Sequence, residues 1–145
     1  RQETREEINE TIALRDSFNL NLIKAFKTEF QFCPVFFIYD FDAKRFLDGE
    51  RQDIFLNEEG ETDNTIEWTD KPYLGLRSGE AKNGPEGLVM TDGSFNDLPD
   101  PFPGFVTRNT IGSLFNWLLA REIYWKNNAQ RMANKLESKL DNYLN

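Results

Sequence analysis

The segment DGSFNDLPDPFPGF, residues 92–105, concentrates side chains that could bind a ligand or a partner. Its oxygen-bearing side chains are of the kind that calcium prefers: Asp92, Ser94, Asn96, Asp97 and Asp100. An EF-hand loop, however, requires glycine at its sixth position and glutamate at its twelfth, where this segment has Asp97 and Pro103. We therefore predict no metal and no cofactor, and interpret the aspartates as turn residues that bind local backbone amides.

The same segment interleaves aromatic residues with prolines. Prolines restrict the backbone, which lowers the entropic cost of presenting side chains to a partner. The predicted partner-binding residues are Phe95, Leu98, Phe102 and Phe105. In the alternative interpretation, these side chains pack inward over the core and the prolines only guide the chain into the helix that follows.

Residues that could perform catalysis are few. The chain contains no histidine, which excludes Ser-His-Asp and Cys-His mechanisms and zinc sites built on imidazole. Its one cysteine, Cys33, excludes an intrachain disulfide and is expected to be a buried, inert thiol. Asp40 and Asp42 would lie on one face of a strand, where paired carboxylates could hydrolyse glycosides, but no other residue supports this role. We therefore predict a protein that is not an enzyme, with a carboxylate-based hydrolase as an alternative.

The charge distribution restricts the classes of partner. A net charge of −8 disfavours nucleic acid and anionic lipid surfaces, because both repel an acidic protein. Residues 34–106 carry 16 acidic and 6 basic side chains, a net charge of −10, whereas residues 107–145 carry a net charge of +3. A partner of the middle region is expected to be a protein with a basic surface.

Two long helices are predicted toward the ends of the chain. Apolar residues recur at three- and four-residue steps over residues 2–31, which is typical of an amphipathic helix, and Pro34 ends it. A second helix is predicted over 107–144, capped by Thr107 or Asn109, with an apolar stripe that narrows toward its end. If the helices are antiparallel, their thinly apolar portions would project together, and such helices could also pair between copies.

The middle of the chain predicts an antiparallel meander of about five or six short strands over residues 34–91. The run PVFFIYDF, residues 34–41, is typical of a central strand covered on both faces. Further strands are predicted at 45–47, 52–57, 65–69, 73–77 and 87–91. The loop 92–106 then leads into the second helix, which gives a single α+β domain over residues 1–145.

These features favour a non-catalytic protein-interaction or sensing domain. A tether to a membrane through sequence outside this chain, or a place in a larger assembly, is compatible with this hypothesis, because no stretch of 18 apolar residues occurs here. The chain begins with Arg1 rather than methionine, which slightly favours a processed or truncated, extracytoplasmic protein. The alternative is a small-ligand-binding domain with an aromatic pocket, for which Trp68, Trp117 and Trp125 are candidates.

Overall fold

The computed structural model of the chain describes residues 2–69, 72–80, 86–99, 105–107 and 121–145. The architecture of these residues is α+β, with helices toward both ends of the chain and a three-stranded antiparallel sheet in the order β1-β2-β3. The helical elements are α1 (Gln2–Glu29), a 3-10 helix (Asp40–Asp42), α2 (Ala43–Leu47) and α3 (Arg121–Leu144). The strands are β1 (Gly75–Glu80), β2 (Glu86–Thr91) and β3 (Phe105–Thr107).

The two long helices of the sequence analysis are confirmed where the structure describes them. α1 ends at Glu29, and its side chains are exposed over residues 4–13 before burial begins, as the thin apolar stripe of that part predicts. α3 covers Arg121–Leu144 of the predicted helix 107–144. The predicted cap at Thr107 is wrong, because Thr107 pairs with Gly87 as part of β3, and Asn109 lies outside the described residues.

A first cluster of buried apolar side chains, here called the helical core, lies where α1, α3 and the sheet meet. Its buried members are Phe18, Ala25, Phe26, Phe30, Leu88, Met90, Val106, Ala129, Met132, Ala133, Leu136 and Leu140. The α3 members follow three- and four-residue steps, so they form one stripe along the helix. The rings of Phe26 and Phe30 lie 5.3 Å apart, and alanines at 129 and 133 leave room for large neighbours.

Two hydrogen bonds between α3 and the end of α1 indicate the direction of the helix pair. Gln130 Nε2 donates to Glu29 Oε1 over 3.3 Å, and the backbone amide of Gln31 donates to Glu137 Oε1 over 2.9 Å. If α3 ran antiparallel with Gln130 beside Glu29, Glu137 would lie about 10 Å back along α1, out of reach of Gln31. These contacts therefore do not support an antiparallel pairing of the two helices.

A second cluster, here called the aromatic cluster, is built on short elements and loops. Phe46, Ile54 and Phe55 are buried at its centre. Partly buried side chains pack around them: Ile38, Ile66, Trp68, Tyr73 and Phe95. Trp68 stacks on Phe55 with 5.8 Å between ring centroids, and meets the rings of Phe46 and Tyr73 edge to face at 5.2 Å each. Such ring pairs contribute about 0.5–1.5 kcal/mol each beyond their buried area.

Residues 35–38, here called the divider segment, separate the two clusters. Val35 and Phe37 pack against the helical core, whereas Phe36 contacts the rings of Phe55 and Trp68 and Ile38 packs against the aromatic cluster. The segment forms one isolated antiparallel β-bridge, between Ile38 and Phe55. The amide of Leu56 also donates a hydrogen bond to the Phe37 carbonyl over 2.9 Å. Residues 35–38 thus have a cluster on each side, but Tyr39 and Phe41 at the end of the predicted run are exposed, and the central strand predicted at 34–41 is not formed.

The strand predicted at 45–47 is wrong, because these residues belong to α2. Ala, Lys, Arg and Leu all have high helix propensity. Charged pairs at helical spacing add to this preference: Arg45 Nη1 bonds Asp42 Oδ1 over 2.7 Å, and Lys44 pairs with Asp48 four residues on. Asp42 and Asp48, one at each end of α2, therefore stabilise a helical segment.

The strands predicted at 52–57 and 65–69 are also not formed. Asp53 has a φ of 56°, which interrupts an extended backbone, and its amide donates to Asn64 Oδ1. The segment makes only isolated bridges, Ile38 to Phe55 and Leu56 to Thr62. Ile66 and Trp68 do share one side, as their alternation predicts, but they reach the aromatic cluster from a loop.

The two remaining predicted strands correspond to strands of the sheet. β1 and β2 pair antiparallel from Gly75 opposite Thr91 to Glu80 opposite Glu86, so the strands extend into the predicted loop 78–86. The third strand, β3, was predicted as part of loop 92–106 and pairs with β2. The described sheet has three strands rather than five or six, because the segments before β1 use their apolar residues in the aromatic cluster.

Candidate functional site

The first half of the 92–105 segment is a turn organised by the carboxylate of Asp92. Its Oδ1 accepts hydrogen bonds from the amides of Ser94 and Asn96 over 2.8 and 2.9 Å, and its Oδ2 accepts one from Asn96 Nδ2 over 3.1 Å. The bonds from the backbone and side chain of Asn96, followed by the Ser94 amide, hold the pKa of Asp92 below its ordinary value. This carboxylate is occupied by local donors, which is the role of a turn aspartate.

The turn directs two of the predicted partner-binding side chains inward. Phe95 adopts a φ of 63°, is half-buried and packs against the aromatic cluster, while Leu98 is half-buried against the helical core. Phe102 and the side chain of Phe105 lie outside the described residues, although the backbone of Phe105 pairs with Val89. The structure thus brings Phe95 and Leu98 to different clusters, and partner binding by these four residues stays a prediction.

The carboxylates considered for metal binding or hydrolysis lie in separate environments. Asp97 forms an ion pair of 2.9 Å with Arg77, and Asp100 lies outside the described residues. Asp42 is buried and bonded to Arg45, whereas Asp40, two residues earlier, is exposed. In the part of the chain that the structure describes, no three carboxylate or thiol groups converge as metal ligands would.

The aromatic cluster is capped by a cation from the chain itself. The guanidinium carbon of Arg51 lies 4.1 Å from the ring centroid of Phe46 and 5.5 Å from that of Trp68. Its Nη1 donates to the carbonyls of Phe46 and Glu50 over 2.6 and 2.7 Å. One face of Phe46 is therefore covered by Arg51. Of the other predicted pocket residues, Trp117 and the side chain of Trp125 lie outside the described residues.

A groove of about 400 Å³ runs between the end of α1 and the residues that follow it, lined in part by Phe26, Phe30 and Cys33. Cys33 is exposed, not buried as predicted, because the chain bends at residues 32–33 instead of entering a strand. Partial burial of its sulfur raises the pKa of the Cys33 thiol, so the reactive thiolate is disfavoured at neutral pH.

An exposed aromatic pair, not predicted from the sequence, lies directly before α2. The rings of Tyr39 and Phe41 stack with 4.9 Å between centroids and an interplanar angle of 16°. Phe41 is 75% exposed, the highest value among the described large apolar residues, and Tyr39 is also exposed. The detectable signal was the alternation Tyr-Asp-Phe-Asp at residues 39–42, where apolar side chains alternate with charged ones.

Tyr39 joins this pair to an acidic turn at residues 57–61. Its hydroxyl donates to the carbonyl of Gly60 over 2.6 Å. The turn is held by Asn57, whose Oδ1 accepts from the amides of Glu59 and Glu61 over 3.0 and 2.9 Å. Gly60 has a φ of 77°. A Cβ at this position would approach Leu20 of α1 to 2.8 Å, so the turn sits directly on the helix.

Three exposed carboxylates accompany the aromatic pair. Asp40 lies between the two rings in sequence, and Glu59 and Glu61 belong to the turn that Tyr39 contacts. None of the three forms an ion pair with another described residue, whereas the neighbouring Glu58 pairs with Lys27 of α1 over 3.6 Å. We call Tyr39, Phe41, Asp40, Glu59 and Glu61 together the aromatic–acidic surface.

The described helices offer no segment apolar and long enough to cross a bilayer. Comparison of the chain with protein-family models, with curated proteins and with solved structures finds no match to any of them.

Proposed function

We propose that this chain is a non-catalytic protein-interaction domain that contacts its partner through the aromatic–acidic surface. The observation that carries the proposal is the exposure of two stacked rings, Tyr39 and Phe41, on the surface of an acidic protein. Single exposed apolar residues are common, but adjoining exposed aromatic rings are typical of interaction sites.

The residues that carry the rings are held by contacts within the chain. Tyr39 is anchored by its bond to Gly60, and Phe41 belongs to the 3-10 helix whose Asp42 is bonded to Arg45. An interface residue held in place before binding loses little conformational entropy when the partner arrives. Covering an exposed phenylalanine contributes about 1.5–3 kcal/mol, so one such anchor supports a specific interface.

Other exposed apolar residues lie near this surface in sequence. Of the ten exposed large apolar residues that the structure describes, five lie between residues 32 and 47: Phe32, Phe36, Tyr39, Phe41 and Leu47. Half of the exposed large apolar residues in the described part of the chain therefore come from this short segment. The 92–98 turn differs, because its apolar residues pack inward.

Site-specific photo-crosslinking tests the proposal. In one variant of the chain, a photoreactive phenylalanine analogue replaces Phe41. In a second variant it replaces Leu144, a 66% exposed residue at the end of α3. We expect position 41, but not position 144, to crosslink a defined protein from the native source. The purified partner should then bind the wild type and Leu144→Ser alike, and Phe41→Ser more weakly.

The proposal fails if the purified partner binds Phe41→Ser as tightly as the wild type. It also fails if positions 41 and 144 crosslink the same proteins, since that pattern indicates nonspecific contact. Both substituted residues are exposed, so far-ultraviolet circular dichroism is expected to show an unchanged fold in each variant.

A further inference from the structure

We infer that the partner segment that covers the aromatic–acidic surface is basic and places an arginine side chain over Phe41. This inference rests on the proposed function and adds the chemistry of the partner. Three features of the surface carry it: an open ring face, unpaired carboxylates in the adjacent residue and in the turn bonded to Tyr39, and a local excess of negative charge.

The open ring face belongs to Phe41. One face of this ring stacks on Tyr39, and the high exposure of Phe41 leaves the other face to solvent. A guanidinium group binds such a face both through its charge and through its flat, weakly hydrated surface. Lysine offers only the charge, because its ammonium group is compact and strongly hydrated.

The unpaired carboxylates provide acceptors for the same cation. Asp40 is adjacent to Phe41, and the turn bearing Glu59 and Glu61 is bonded to Tyr39 through Gly60. Arginine can stack on a ring while its N–H groups donate sideways to acceptors, because its donors lie in the plane of the guanidinium. The chain already uses this combination internally, where Arg51 covers Phe46 and donates to two carbonyls.

The basic residues of the region itself do not neutralise this surface. Residues 34–69 contain ten acidic and three basic side chains, a net charge of −7. Lys44 pairs with Asp48, Arg45 with Asp42 and Glu50, and Arg51 lies over Phe46. The remaining negative field attracts a cationic segment, and it repels the same surface of a second copy.

Binding of labelled synthetic peptides, followed by fluorescence anisotropy, tests the inference directly. One peptide alternates arginine with leucine, and two matched peptides replace every arginine with lysine or with glutamate. We expect the arginine peptide to bind the wild type most tightly, the lysine peptide more weakly and the glutamate peptide not at all. Affinity for the arginine peptide should fall with added salt, since exposed charges are screened.

Matched variants separate the ring from the charges. Phe41→Leu keeps an apolar side chain but removes the ring, and should lower the affinity for the arginine peptide about two- to five-fold. The double variant Glu59→Gln/Glu61→Gln keeps the ring, and its affinity for the arginine peptide should depend less on salt than that of the wild type. Leu144→Ser is the control and should bind as the wild type does.

The inference is overturned if Phe41→Leu binds the arginine peptide with the affinity of the wild type. It is equally overturned if either the lysine peptide or the glutamate peptide binds the wild type as tightly as the arginine peptide does. It is also overturned if sedimentation shows self-association that Phe41→Leu abolishes, because the occupant is then a second copy. If position 41 still crosslinks a specific protein in either case, the interaction function stands and only the arginine assignment fails. Absence of any specific crosslink at position 41 removes both.

Discussion

The helical core and the aromatic cluster are two interiors of one small chain that are assembled in different ways. The helical core is formed mainly by side chains of two long helices and a sheet, at positions that recur with the helical period. The aromatic cluster is formed by Phe46 of the five-residue helix α2 and by residues from loops. Its buried centre has three residues, and much of its packing comes from partly buried rings.

The difference shows that irregular backbone requires more side-chain hydrogen bonds than helices do. Around the aromatic cluster, backbone amides are satisfied by the side chains of Asn57, Asn64 and Asp63, and Arg51 satisfies two carbonyls. Helices satisfy their own interior amides and carbonyls, so the packing of the helical core depends mainly on apolar contact. We expect cavities to lower the free energy of unfolding by similar amounts in the two interiors. Substitutions that change the backbone should affect the two interiors differently.

The largest expected effect comes from cavities at the centres of the two interiors. Phe26 in the helical core and Phe55 in the aromatic cluster are each 2% exposed. Substitution of either residue by alanine should lower the free energy of unfolding by about 3–5 kcal/mol. Because the divider segment packs on both sides, we expect far-ultraviolet and near-ultraviolet circular dichroism to report one shared transition in each variant.

Separate transitions would show instead that the interiors unfold independently. In that case Phe55→Ala would shift the aromatic near-ultraviolet signal and leave the helical far-ultraviolet signal at its wild-type midpoint. Conservative Phe55→Leu is a control, since it leaves a smaller cavity and should cost less than Phe55→Ala.

An intermediate effect is expected at Gly75, where β1 meets the turn that carries Phe95. A Cβ at this position would lie 2.7 Å from Phe95 Cδ1 and would overlap the side chain of Thr91. Gly75→Ala should therefore cost about 1–3 kcal/mol, through overpacking rather than through a cavity. Urea denaturation measures this cost, and the near-ultraviolet signal reports whether Phe95 leaves the aromatic cluster.

Gly93 provides the matched control for Gly75. A Cβ there would lie 3.5 Å from the ring of Tyr73, an ordinary contact. Gly93→Ala is expected to change stability by less than about 1 kcal/mol. Equal effects at the two glycines would mean that the close approach at Gly75 does not determine how the turn packs.

The smallest expected effect is a pH dependence that arises at Asp92. Its pKa in the folded chain is lowered from 3.8 by hydrogen bonds from Asn96 and Ser94. The ionised carboxylate therefore contributes stability above the unfolded pKa, and that contribution is lost as pH falls below about 4 through the folded value. Asp92→Asn keeps a side-chain acceptor for the turn but cannot ionise, so its stability should vary less with pH.

Thermal midpoints of wild type and Asp92→Asn between pH 7 and pH 2 give the comparison. A residual pH dependence is expected in the variant, because the side chain and amide of Thr65 also lower the pKa of Asp63. The explanation is wrong if the two proteins lose stability in parallel over the acidic range.

The helices were predictable from the sequence because their apolar residues repeat with the helical period over many turns. α1 and the described part of α3 follow from this pattern. The antiparallel pairing of the segments around Leu76 and Leu88 follows instead from the short connection between them. The start of β3 at Phe105 was not predictable from its surroundings, since glycine and proline around it are typical of a loop.

The middle of the chain was mispredicted because burial there does not follow strand pairing. Ile54, Phe55 and Leu56 are buried in succession, and the left-handed Asp53 precedes them. Local ion pairs decided the conformation around Arg45, and periodicity carries no information about them. The exposed position of Phe41 was missed because a continuous apolar run was assumed to be wholly internal, although a backbone turn at Asp40 redirects its end.

The divider segment makes this part of the chain intolerant of changes in length. Val35 and Phe37 pack against the helical core, while Phe36 and Ile38 pack against the aromatic cluster. Successive residues therefore alternate between the two interiors, and each of the four positions packs against one of them. Deletion or insertion of a single residue would exchange the two sets of side chains, as a register slip does in a sheet. A point substitution here alters the packing of one interior, whereas the insertion or deletion of one residue would alter the packing of both interiors at once.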